Sequence, residues 1–193
     1  MKKVEHGKTF DRNAANPPAF EIFHNTVTEG YPEHWHTAIE IIMPTRGEYE
    51  VVVGKDSYNL KEGDIIMINS GVVHGMRFVS QGERIVMLVE PGCVENQEEM
   101  ETIFLRLPAI YFKKEDEEDP FYLFLRSQIL ELVREYDNEG AVMTHRICTG
   151  LKELFSEFGR KGFSDANAQN TFGAMKQQEY IEAVLSVCRY INV

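Results

Sequence analysis

The chain is poor in the residues that would make it secreted, membrane-spanning or nucleic-acid-binding. Its three cysteines, Cys93, Cys148 and Cys188, are odd in number and lack metal-type spacing. They point to reduced thiols in a cytoplasmic protein rather than to a disulfide framework. No apolar run approaches the roughly 20 residues that cross a bilayer. The opening MKKVEHGKTFDRN has three lysines but not the apolar stretch of a secretion signal. Cationic residues are also scarce: 20 Lys and Arg against 31 Asp and Glu give a formal net charge of -11. Such a surface repels DNA phosphates and anionic lipid, so no direct contact with either is expected. What remains is ordinary globular composition, 43% hydrophobic and 26% charged over 193 residues, enough for one good core.

The organisation changes along the chain. Residues 1–18 are polar, lack periodicity and end in Pro17-Pro18, which reads as an arm. Short strand-like segments follow: AFEIF, AIEIIM, EYEVVV, SYNL, IIMIN and ERIVMLVE. Turn signals separate them at Gly54-Lys55-Asp56, Glu62-Gly63-Asp64, Ser70-Gly71 and Pro91-Gly92. Many short strands at regular spacing predict a sandwich or barrel, here over 19–112. Beyond residue 118 the period becomes helical. Asp119-Pro120 is a helix start, and Phe121, Leu125, Ile129, Leu132, Val133 and Tyr136 keep one face. After Gly140, Met143, Ile147, Leu151, Leu154, Phe155 and Phe158 make a second face, ended by Gly159. An antiparallel helical hairpin is thus expected over 113–162, packed on the core or on a second subunit, and we assign it to dimerisation. In 163–193, a polar linker leads into a third apolar pattern, Ile181, Val184, Leu185, Cys188 and Ile191, which runs to Val193 without a stop signal. A continuing chain is expected there.

The chemistry gathers in EHWHTAIEIIMPTRG, residues 33–47. An ionisable Glu40 between Ile39 and Ile41 needs a partner or a task, because an unpaired buried carboxylate is costly. Side chains two apart on a strand share a face, so His34, His36 and Glu40 project together if the strand is unbroken. Ala38 and Ile42 on that face are apolar, as are Ile39, Ile41 and Met43 on the other, so both faces are expected to be covered. The segment EGDIIMINSGVVHGM adds His74 after a turn and a strand. Three imidazoles and a carboxylate suffice to hold Zn²⁺, Ni²⁺ or Fe²⁺. The other reading is a polar pocket floor that hydrogen-bonds a ligand without metal. Trp35, of opposite parity, is expected outside the barrel against the helices. His6, His24 and His145 are isolated, with the barrel interior open to His24. Met67, Met76 and Met87 are expected in the core.

The spacing of His34, His36, Glu40 and Gly47 resembles the first cupin motif without a gap. Gly63, Gly71 and His74 fall in step with the second. Thr28 stands where the first motif has its leading glycine, with Gly30 near; Asn69 stands where the second has proline, and Phe78 where it has asparagine. None of these is a ligand position. The resemblance implies a mainly β fold, a cupin-like jelly-roll barrel followed by the helical hairpin. A cupin, a hairpin, a linker and a helix reading YIEAVLSVCRYINV together resemble the AraC/XylS family of transcription regulators. That resemblance implies a ligand-sensing and dimerising domain whose effector is a small molecule, sugars among the candidates. DNA would be bound only by a helix-turn-helix region beyond Val193. An alternative reading is a metal-dependent cupin enzyme, an oxygenase or isomerase holding its ion with His34, His36, Glu40 and His74. A third is a plain carbohydrate-binding cupin.

Overall fold

The computed structural model describes residues 19–26, 30–90, 109–114, 118–138 and 140–161. The arm (1–18), the linker and last helix (163–193), His6, Cys93 and Cys188 lie outside these residues. Nine strands come first: β1 (Phe20–Asn25), β2 (Tyr31–His34), β3 (Ile39–Arg46), β4 (Tyr49–Val53), β5 (Asp56–Leu60), β6 (Ile65–Ile68), β7 (His74–Phe78), β8 (Glu83–Val89) and β9 (Ala109–Phe112). Two helices follow, α1 (Pro120–Asp137) and α2 (Met143–Lys161). The strands form two antiparallel sheets, one ordered β1-β8-β3-β6-β9 and the other β2-β7-β4-β5. The six expected strands are all present. β2, β7 and β9 were not expected, because their sequences YPEH, HGMRF and AIYF are too short or too polar to show a period of two.

Alternation along β3 divides the molecule into layers. Ile42 points between the sheets, into a cluster with Tyr49, Val51, Val53, Leu60, Ile66, Ile68, Val72 and Met76. Ile39, Ile41 and Met43 point the other way, into a cluster with Met67, Met87 and the buried faces of both helices. The central strand is therefore covered on both faces, as its two-sided apolar sequence requires. Turns form where glycine permits positive φ: Gly54 at 58° closes the β4–β5 hairpin, and Gly63 at 87° and Gly71 at 73° bracket β6.

The helices begin and pack as their pattern dictates. The Asp119 side chain accepts from the Phe121 backbone N–H at 2.9 Å, with Pro120 in the first helical position. On α1 the buried residues are Tyr122, Leu125, Ile129 and Leu132; Phe121, expected to lead that face, is only partly buried. On α2, Ile147, Leu151, Leu154, Phe155 and Phe158 are wholly buried. Gly150 lies where a Cβ would come within 2.9 Å of the Leu132 side chain, so its bareness lets the helices approach. Leu151 and Phe155, on the helical face assigned above to dimerisation, belong to the core beneath the helices. A sheet face of five strands needed all of that apolar surface. Apolar side chains exposed near the hairpin are Leu123, Leu130 and Val142.

Candidate metal centre

Each member of the cluster is delivered by a different local device. His34 ends β2 and stands directly opposite His74, the first residue of β7, so the two imidazoles face each other across an antiparallel pair. His36 lies in the segment that carries the chain from the four-stranded sheet to the five-stranded one. The Gly71 backbone N–H donates to the His36 carbonyl at 2.7 Å, tying that crossing to the turn that precedes His74. Glu40 is the second residue of β3 and points between the sheets. The expectation of one unbroken strand from His34 to Glu40 is thus overturned: the strand stops at His34 and a new one starts at Ile39. The side chains converge all the same. His34, His36, Glu40 and His74 each offer an atom within 4.8 Å of all the others.

Burial and hydrogen bonding define what the cluster can do. His36 is 5% exposed, Glu40 7% and His74 3%, while His34 is exposed and forms the open side. Each ring is oriented by a backbone carbonyl at Nδ1: Pro32 O for His34 at 2.9 Å, Ala38 O for His36 at 2.9 Å, and Val72 O for His74 at 2.8 Å. A carbonyl only accepts, so each Nδ1 carries the proton, and the Nε2 atom is the one left for the cluster. This is the tautomer that metal-binding histidines adopt when an outer hydrogen bond fixes the far nitrogen. Glu40 Oε2 lies 2.9 Å from His36 Nε2 and 2.7 Å from His74 Nε2. Both separations are hydrogen-bond lengths, so a proton is shared between nitrogen and oxygen in each contact. Burial works to lower the His74 pKa, but the hydrogen bond and charge of Glu40, with the Val72 carbonyl, outweigh it and raise His74 above its ordinary value. Three imidazole nitrogens and one carboxylate, all preoriented, fit a divalent metal. When bound, such an ion supplies Lewis acidity and an open coordination position.

The remaining expectations divide. Met67 and Met87 pack beneath the helices and Met76 between the sheets. His24 shares its strand face with Phe20 and Ile22, which belong to the helix-side core, so it does not face the barrel interior. Trp35 is 45% exposed and is not covered by the helices, because it sits in the crossing segment and not on a strand. Three features went unforeseen. Thr37 donates to both carboxylate oxygens of Glu90 at 3.1 Å, bracing the segment between His36 and Glu40. Arg84 is fully buried with its guanidinium 4.8 Å from the Tyr49 ring centroid and 5.5 Å from that of Tyr31, a cation–π sandwich at the other end of the inner face. Glu21 lies on that face as well. Its sequence signal was available: Glu21 interrupts FEIF in the way Glu40 interrupts IEII.

Residues 25–90 match the family model described as the cupin domain. The fold is a cupin barrel followed by an antiparallel helical pair. Among solved structures, the chain is similar to ToxT from Vibrio cholerae in its apo form, with 11% identity and a TM-score of 0.50, over 76% of this chain and 58% of that one. It is similar to a conserved protein of unknown function from Streptococcus pyogenes, with 18% identity and a TM-score of 0.34, over 37% of this chain and 63% of that one. It is also similar to oxalate decarboxylase from Bacillus subtilis, with 19% identity and a TM-score of 0.32, over 36% of this chain and 20% of that one. The chain therefore spans less than two thirds of each of these proteins. At such identities the likeness concerns fold alone. No match was found among curated proteins.

Proposed function

We propose that this chain is the ligand-sensing part of an AraC-type transcription regulator, in which a small molecule bound at a divalent metal in the cupin barrel controls a DNA-binding region elsewhere in the protein. The observation that carries the sensing site is the convergence of three carbonyl-fixed imidazoles on Glu40. The support for regulation is the layering. Glu40 lies on the inner face of β3, while its neighbours Ile39 and Ile41 lie on the outer face against α1 and α2. A second tie runs from the Tyr122 hydroxyl on α1 to the Gly63 carbonyl at 2.8 Å, in the turn that begins the segment carrying His74. A ligand that binds one arrangement of these side chains better than another shifts the helices with it by linkage. Fold-level likeness to ToxT over 76% of the chain agrees with this reading, since residues 19–112 alone would not fill that share. A structure of ToxT has been solved with unsaturated fatty acid bound.

The test is DNA binding by the full reading frame that contains this chain. The reading expects basic, helical sequence with two helix-turn-helix units after Val193 and promoter affinity that changes when metal is chelated. A reading frame without such units would overturn it. The second reading, a metal-dependent cupin oxygenase or isomerase, is favoured by one observation. The set is complete and exposed on its His34 side, as a site that admits substrate requires.

A further inference from the structure

Strand register places a second carboxylate beside the metal centre. On the inner face, Glu40 of β3 pairs with Leu88 of β8, and Leu88 pairs in turn with Glu21 of β1. The three side chains form a row across adjacent strands, with Glu21 and Glu40 at its ends. Two strand spacings put their Cα atoms about 10 Å apart. One step along the same face, Phe23 pairs with Val86 and Val86 with Ile42. The inner face is sealed at Ile42, Ile66 and Ile68, but Glu21, Phe23 and Leu88 are only partly buried. A leucine and a phenylalanine left partly exposed on an inward face mark space that the described side chains do not fill. Glu21 has no hydrogen-bond or ion-pair partner among the described residues, and burial raises its pKa. Partial burial without a protein partner disfavours its charge, and a donor group of a ligand would offset that.

We propose that Glu21 is a specificity-determining residue of the ligand site: it receives a hydrogen-bond-donating or cationic group, amine or hydroxyl, from a molecule whose other end lies at the His34–His36–Glu40–His74 centre. Leu88 and Phe23 form the apolar wall between the two ends. This rests on the metal-centre reading for one end of the ligand only. A ligand ending in a carboxylate at Glu21 would place like charges together and is selected against.

The test uses the full chain and three probes that share an imidazole head: an N-aminopropyl imidazole, its N-butyl analogue and its N-carboxyethyl analogue. Binding is followed by calorimetry with and without Zn²⁺, for the wild type and for Glu21→Gln. The amine should bind about tenfold more tightly than the butyl compound, as one charge-assisted hydrogen bond allows, and the carboxylate more weakly than either. Glu21→Gln should erase that order without changing Zn²⁺ affinity. An order unchanged in Glu21→Gln, or no binding of any probe, would overturn the proposal. An order that depends on Glu21 but is the same with and without Zn²⁺ would uphold it and instead remove the metal from the reading of the site.

Discussion

Glu40 carries the account at the scale of single residues. It is an acid in an apolar strand, and its two short contacts to His36 and His74 offset the cost of its burial. Glu40→Gln keeps the shape and loses the charge. It is expected to abolish tight metal binding while the protein stays folded, checked by circular dichroism and a metal titration. His74 adds a dependence on pH. Its folded pKa is raised, so in the metal-free protein its contribution to stability is fully present below the unfolded value of about 6.5 and is lost as pH rises through the raised folded value. Metal competes with that proton, so metal affinity should climb across the same window. Melting of chelated protein between pH 5 and 9, a range chosen to span imidazole titration, checks the first statement. A flat wild-type profile, or a pH dependence that persists unchanged in His74→Gln, would refute it.

At the scale of elements, the sequence showed some features and hid others for physical reasons. The α1 start was legible because Asp119 and Pro120 are local signals whose effect does not depend on the rest of the fold. Asp119→Ala should cost about 1 kcal/mol, as loss of an N-cap does, readable as a shift in the denaturation midpoint. The apolar face of α2 was legible too, but not its destination. Periodicity shows that a face is buried and does not say against what. Leu151 meets the helix-side core of the same chain, so Leu151→Ala should cost roughly 2–5 kcal/mol through a cavity, a loss of stability at every protein concentration. The centre was legible through spacing of the cupin motifs. Its delivery by β2, β3, β7 and the crossing segment that holds His36 was not, because β2, β7 and the crossing are short and irregular. Glu21 carries the same local signal as Glu40, an acid inside an apolar strand, but its place opposite Leu88 is set by register between β1 and β8, which no local pattern encodes.

For the whole molecule, charge and layering set the expectations. With a formal net charge of -11, this chain alone should not retard DNA specifically in a gel shift at physiological salt; specific retardation would contradict the division of labour proposed here. Dimerisation remains an expectation from the regulator reading. With Leu151 and Phe155 buried in the core, a dimer through the hairpin would use its exposed side, where Leu123 and Leu130 lie on α1. Leu123→Glu with Leu130→Glu should then lower the sedimentation mass without loss of fold. A mass unchanged by the pair would exclude that face.

Central to all of this is the proposal that His34, His36, Glu40 and His74 hold a divalent ion, and metal content tests it most directly. Protein purified without a histidine tag is analysed by plasma emission spectroscopy, as isolated, after chelation and after reloading, beside Glu40→Gln. The account predicts about one ion per chain that chelation removes and reloading restores, and little or none in the variant. A wild type that takes up no ion on reloading, or a variant that takes up as much, would contradict it and leave the cluster a hydrogen-bonded pocket.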